Sequence, residues 1–186
     1  MNKTYISKEI LILTAKEIVA QSSIQALNMR EVAQRCGIAV GSIYNYFPSK
    51  EDFIIATIES IWQEIMHDLT NCSLSLNFAE NVFLLFNNIH KGCQKYPSFF
   101  QLHSMSLNNL DKNKGRQAMQ QYFNTIKALL LKNLEKDPDV RENVFCNEFT
   151  KPDFVDFIFS NILTLLMNEE QSCDFLLQII KHIIYK

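Results

Sequence analysis

The stretch that most constrains the fold of this chain is residues 28–50, NMREVAQRCGIAVGSIYNYFPSK. Its punctuation dictates two short helices joined by a tight turn. Asn28 can accept a hydrogen bond from the first turn of a helix, and Glu31 stands three positions on, the spacing of a capping box. Val32 and Ala33 form an inward face. Gly37 then supplies the positive φ that closes a helix. A second short helix is predicted over residues 40–47, with Ile43 and Phe47 as core anchors one turn apart. Pro48 stops it, and Ser49 with Asp52 starts the next helix.

With Ile43 and Phe47 turned inward, Gly41, Ser42, Tyr44, Asn45 and Tyr46 occupy the remaining faces. A solvent-facing helix normally carries charge there. Small, hydroxyl, amide and phenol groups suit the major groove of DNA, where base edges and phosphate oxygens are the partners. Gly41 permits close approach, Ser42 and Tyr46 suit phosphate oxygens, and Tyr44 and Asn45 reach phosphate or bases. Lys50 places a cation and free backbone N–H groups where a phosphate binds. Arg30, early in the preceding helix, is a further candidate. Residues 1–50 carry a net charge of +3 within a chain whose total is -2, so a basic module precedes an acidic body.

The rest reads as all-α. Four glycines and four prolines beside fourteen phenylalanines leave too few turn residues for an all-β fold. Residues 7–22 form an amphipathic helix on Leu11, Ala15, Ile18 and Val19. A long fourth helix runs from Ser49 to about Leu69, and Asn77 with Glu80 caps a fifth that ends near Lys95. A sixth is predicted from Pro97, with Phe99, Phe100, Leu102, His103, Leu107 and Leu110. A seventh runs to about Leu134 on Met119, Tyr122, Phe123, Ile126, Leu129 and Leu130. Residues 140–151 are a short helix or packed loop. Pro152 starts an eighth helix that ends at Met167. Asn168 with Gln171 caps a ninth, from Glu169 to the end. With no Gly/Ser/Pro linker, the domain boundary falls inside the fourth helix, giving residues 1–50 and residues 51–186.

Aromatic side chains in the body lie beside polar ones, the mix of a small-molecule pocket. Trp62, Phe86, His90, Phe100, His103 and Tyr122 are its candidate lining. The segment FLLQIIKHII is apolar on more than one face, which marks an interface between two copies. Ile158, Ile162, Leu166, Leu176, Leu177, Ile180 and Ile184 are the expected contact residues. Five scattered cysteines show neither metal nor disulfide spacing, as in a reduced, cytoplasmic protein. No metal site or cofactor is expected. The run Ile10–Leu13 is too short for a signal peptide, and no run reaches the roughly 20 apolar residues that span a bilayer. Neither a phosphate-binding loop nor a nucleophile elbow points to an enzyme.

Residues 11–53 resemble the N-terminal domain of TetR-type transcriptional regulators. The resemblance rests on LILTA in the first helix and on GSIYNYFPSK at residues 41–50. It implies a homodimer on a palindromic double-stranded DNA operator, with each third helix in the major groove. It also implies a larger helical domain that binds a small inducer and dimerises through its last two helices. Inducer binding would then change the spacing of the two reading heads through the fourth helix, the action of a repressor. The chain departs from the family at Ser23, where Gly is usual at the end of the first helix, in a short N-terminal tail with only Lys3 and Lys8, and at two positions before the reading helix. Ala39 and Val40 stand where Ser and Lys are common, removing a capping hydroxyl and a phosphate contact. That departure motivates an alternative, a TetR-like protein that has lost operator affinity and acts through protein contacts.

Overall fold

The computed structural model describes residues 6–24, 26–71, 77–96 and 112–185. Among these residues the chain forms eight helices: α1 Lys8–Gln21, α2 Met29–Cys36, α3 Val40–Ile43, α4 Lys50–Asn71, α5 Phe78–Lys95, α6 Lys112–Lys136, α7 Lys151–Met167 and α8 Asp174–Ile184. The helix expected from Pro97, with Phe100 and His103, falls outside the described residues. Two compact units emerge, one of residues 1–64 and 92–118, the other of residues 65–91 and 119–186.

In the first unit the predicted inward face of α1, Leu11, Ala15, Ile18 and Val19, is fully buried. It is joined by Ile24, Leu27, Val32, Ala33, Ile43 and Phe47. The α1 start is capped by Ser7, whose side chain accepts from the Ile10 N–H. On α2 the Asn28 Oδ1 accepts from the Glu31 N–H at 2.9 Å, while the Glu31 carboxylate turns instead to Arg35 at 2.7 Å. Gly37 closes α2 at φ 68, a left-handed conformation that an L side chain resists. Phe47 packs edge-on against Phe53 of α4, ring centres 4.9 Å apart. The α4 start is held by Ser49, whose hydroxyl accepts from the Asp52 N–H at 3.0 Å and donates to its carboxylate at 2.7 Å.

An ionic hub lies behind this small core. Glu64 of α4 pairs with Lys16 of α1 at 2.6 Å and with Lys95 at the end of α5 at 2.5 Å. The buried Tyr96 adds its hydroxyl at 3.2 Å. Burial works to raise the Glu64 pKa, but hydrogen bonds from Lys16 and Lys95 outweigh it and hold the carboxyl below its usual value.

The second unit is organised around the start of α5. Asn77 and Glu80 form the full reciprocal capping box, with N–H to side-chain distances of 2.9 and 3.0 Å. The N–H groups between them go to distant partners. Phe78 N–H donates to Asp137 Oδ2 at 2.7 Å, and Ala79 N–H donates to the Tyr185 hydroxyl at 3.2 Å. That hydroxyl donates to the same Asp137 oxygen at 2.6 Å, and Asp137 Oδ1 accepts from the Asp139 N–H. Every donor that a helix start leaves open is thus taken. Burial, and then the bond to Asp137, push the Tyr185 phenol well above its usual pKa. Phe78, Val82, Phe86, Ile126, Leu130, Phe154, Ile158, Ile162, Ile180 and Ile184 fill the core.

The structure revises three expectations and decides a fourth, for residues 140–151, between its two alternatives. First, α3 ends at Ile43, and residues 44–46 form a turn, not helix through Phe47. Asn45 and Tyr46 bond three residues back, to Ser42 and Ile43, which tightens the chain ahead of Pro48. Second, Leu129 is 41% exposed and is no part of the core. Third, residues 140–150 are a packed loop. It is pinned by the Cys146–Phe149 bridge and by Arg141, which donates from its backbone to Ile184 O and from its guanidinium to Ile183 O. α7 begins at Lys151, not at Pro152, and Thr150 caps it by accepting from the Asp153 N–H. Fourth, the last helix starts at Asp174, and residues 168–170 close α7. Glu169 sits at φ 58, its N–H bonds Leu166 O and that of Glu170 bonds Leu165 O, a Schellman closure. The Asn168–Gln171 spacing imitates a cap that the chain does not make.

Candidate nucleic-acid interface

The reading turn sits on two buried anchors, Ile43 and Phe47. Around them Gly41, Asn45 and Lys50 are exposed, Ser42 is half-buried, and Tyr44 and Tyr46 present large aromatic surfaces, Tyr44 at 49% exposure. Arg30 is exposed on α2. Among the described residues neither Arg30 nor Lys50 has a carboxylate partner, whereas Arg35 is committed to Glu31 and Gln21. Arg30 and Lys50 are therefore two exposed cations in the module that carries the turn.

Gly41 has an ordinary backbone, and a methyl group added there would meet nothing within 4 Å. Nothing inside the chain requires glycine at this position. Ala39 offers no side-chain hydrogen bond to the start of α3, as its missing hydroxyl predicts. Tyr46 has a partner that sequence reading missed: its hydroxyl donates to the Ile6 carbonyl at 2.8 Å. The neighbouring ring of Phe47 receives the Lys8 ammonium at 5.2 Å from its centre. Partners some 40 residues apart leave no periodic trace that could have announced them.

The expected ligand-pocket residues are divided. Trp62 is fully buried in the first unit, while Phe86, His90 and Tyr122 belong to the second. Of these the structure brings Phe86 and His90 together, rings stacked 5.7 Å apart. Phe100 and His103 lie outside the described residues. An open cleft of about 1310 Å³ in the second unit is lined elsewhere, by Arg141, His182, Tyr185 and their neighbours. Burial raises the Cys93 thiol to about 12 and the Cys173 thiol to about 11, so both stay protonated near neutrality.

Of the expected interface residues, Ile158, Ile162, Leu166, Leu176, Ile180 and Ile184 are buried within the chain itself, and Leu177 is half-buried. The six buried side chains pack the second unit's own core. The large apolar side chains that α7 and α8 leave outside are Phe157, Met167 and Phe175, the last 75% exposed. The period of an apolar helix does not tell which of its faces the chain itself covers. Among the described residues no helix is long and apolar enough to cross a membrane.

Comparison with known proteins places this geometry. Residues 11–57 match the family described as bacterial regulatory proteins, tetR family. Over 80 residues the chain is 29% identical to the HTH-type transcriptional repressor KstR of Rhodococcus jostii, and over 64 residues 28% identical to the uncharacterized HTH-type transcriptional regulator YuxN of Bacillus subtilis. These matches take in 43% and 34% of the chain but only 37% and 22% of those proteins, so the chain spans well under half the length of either relative. Solved structures share the fold far more widely. A TetR transcriptional regulator from Legionella pneumophila is 21% identical, with 99% of this chain and all of that one covered at a TM-score of 0.65. BioQ, solved with its double-stranded DNA operator, is 15% identical, with 94% and 95% covered at 0.63. Residues 11–57, which contain the whole reading turn, thus resemble the tetR-family module, and the chain shares along its length the fold of solved TetR regulators.

Proposed function

We propose that this protein is a dimeric, DNA-binding transcriptional regulator, a repressor that a small-molecule ligand releases from a palindromic operator. In this reading residues 1–50 are the reading head and residues 51–186 the regulatory and dimerisation domain. Arg30, Gly41, Ser42, Tyr44, Asn45, Tyr46 and Lys50 form the DNA-contacting set. The observation that carries the reading is the turn itself. Its anchors are buried, its outer face holds hydrogen-bonding groups, Lys50 beside it has no carboxylate partner among the described residues, and its glycine sits in open space. KstR's description as a repressor, and the solution of BioQ on its operator, support the class of activity.

Dimerisation falls to the outer faces of α7 and α8, where Phe157, Met167, Phe175 and the half-buried Leu177 are available. The ligand meets residues drawn from Trp62, Phe86, His90, Phe100, His103 and Tyr122. The deciding experiment is a mobility shift on the DNA upstream of the protein's own gene, repeated across a salt series. Binding that weakens steeply with salt is expected. Absence of a shift at low salt, or a flat salt dependence, overturns the reading. It would favour instead a TetR-like protein acting through protein contacts, to which the uncapped start of α3 points.

A further inference from the structure

We propose that Tyr46 acts on DNA through Lys8: Tyr46 is a positioning residue that holds the start of α1 at the reading turn, and Lys8 supplies a phosphate contact there. The inference rests on the DNA-binding reading above and changes the part that one of its residues plays. A phenol has a single proton to give. In Tyr46 that proton goes to the Ile6 carbonyl at 2.8 Å. The oxygen keeps lone pairs only, and a phosphate oxygen offers no proton in return. While the bond to Ile6 stands, Tyr46 cannot be the phosphate donor that its place in the motif suggests.

What the bond does is local and definite. Ile6 lies two residues before Lys8, the first residue of α1. Ser7, between them, caps that helix through the Ile10 N–H. Fixing the Ile6 carbonyl therefore fixes where α1 begins. The adjacent residue of the turn makes the second tie, with the Phe47 ring receiving the Lys8 ammonium at 5.2 Å from its centre. Neighbouring residues 46 and 47 thus hold residues 6 and 8, and Lys50 follows three positions later in the sequence.

A cation over a ring face keeps its N–H donors free, and at an exposed site the contact is weak enough to exchange for a stronger partner. Lys8 is exposed. Its ammonium is stored beside the turn, ready for a phosphate oxygen. Glu9, on the same turn of α1, keeps this end of the helix from being a general anion trap. The gain is accordingly one phosphate contact.

The test is DNA affinity across a salt series for the full chain, with its own upstream duplex as probe. Wild type, Tyr46→Phe, Lys8→Gln and the double variant are compared, with thermal melting to confirm that each is folded. Each single change is expected to weaken binding about fivefold at low salt and to lower the salt slope by about 0.9. The double variant is expected to lose no more than Lys8→Gln alone, because both changes remove one contact. An unchanged slope in Tyr46→Phe, or losses that add in the double variant, overturns the inference while wild type still binds. A wild type that fails to bind overturns the DNA reading itself, and the inference with it.

Discussion

Two helix starts in this molecule receive opposite treatment. At α5 each open N–H has an acceptor: Asp137, the Tyr185 hydroxyl and Asn77 take those of Phe78, Ala79 and Glu80. At α3 the residue in the capping position is Ala39, which offers only its carbonyl, to the Ser42 N–H, and no side-chain acceptor, and the helix lasts four residues. The difference follows from what each end faces. Phe78 and Ala79 are buried, where an unpaired N–H is costly, so the chain brings acceptors from 59 and 106 residues away. The start of α3 lies beside exposed residues, and its donors can be met from outside, by water or by a phosphate. A closed helix start holds a fold together, whereas an open one leaves interactions for a partner.

The largest effect that separates the two belongs to Asp137. Replacing it by Ala strips the Phe78 N–H and the Tyr185 hydroxyl of their acceptor in a buried setting and removes a carboxyl group from a helix N-terminus. The expected cost is about 3 kcal/mol. For a chain of this length that lowers the melting midpoint by about 6–12 °C. Tyr185→Phe leaves Asp137 its other donors and is expected to cost about 1 kcal/mol. DNA binding measured well below either melting point should not change. A loss under 1 kcal/mol in Asp137→Ala would mean that water already serves this helix start, and the contrast with α3 would disappear.

The open region is tested next. Tyr44→Ala and Lys50→Ala are each expected to weaken DNA binding about tenfold, or about 1.4 kcal/mol, and to leave melting and dimerisation intact. They should differ in salt dependence. Losing Lys50 lowers the slope by about 0.9, while losing the uncharged Tyr44 leaves it alone. Loss of the dimer in both variants would make these residues structural and remove the basis for calling the region open.

Ala39 and Gly41 test whether the openness is costly. Ala39→Ser restores a capping hydroxyl, worth about 1 kcal/mol. Gly41→Ala puts a better helix former into open space, worth about 0.5–1 kcal/mol. Ala39→Ser is expected to raise the melting midpoint by about 2–4 °C and Gly41→Ala by about 1–4 °C. Only Gly41→Ala should weaken DNA binding, because its methyl group stands where a DNA backbone is to approach. If Gly41→Ala stabilises the fold and binds DNA as before, the space around Gly41 is not kept for a partner.

Local grammar was the legible part of this chain. Asn28, Ser49 and Asn77 each cap a helix and Gly37 closes one, as predicted, because a cap and its partner lie within one turn; only Glu31 departs, turning to Arg35. The buried faces of α1 and of the reading turn were legible for the same reason. Reading failed where a local signal competed with tertiary structure. Asn168 and Gln171 have cap spacing, yet the chain uses that stretch to close α7 and accepts a strained Glu169 to do so. Along α7 and α8 periodicity marked the apolar residues without telling which of them the chain itself covers. The pairs Tyr46–Ile6, Asp137–Phe78 and Tyr185–Ala79 were beyond reach, since no spacing rule connects residues so far apart.

The smallest expected effect comes from Glu64, and it asks whether the open region is supported by charge from behind. Glu64 ties α1 to α4 and to the end of α5 through Lys16 and Lys95, and its folded-state pKa lies below the usual 4.5. A carboxyl with a depressed pKa contributes stability above its unfolded value, and the contribution is lost as pH falls through the folded value. The melting difference between wild type and Glu64→Gln should therefore be steady from neutrality down to about pH 4.5 and shrink below it. Because the side chain is about one-third exposed, the difference should be under about 1 kcal/mol and smaller at high salt. If the difference persists unchanged into acid, the hub works by packing and hydrogen bonding. In that case Glu64 closes the back of the reading head as Asp137 closes the start of α5, and ionic strength should act on DNA affinity at the open face without disturbing the fold behind it.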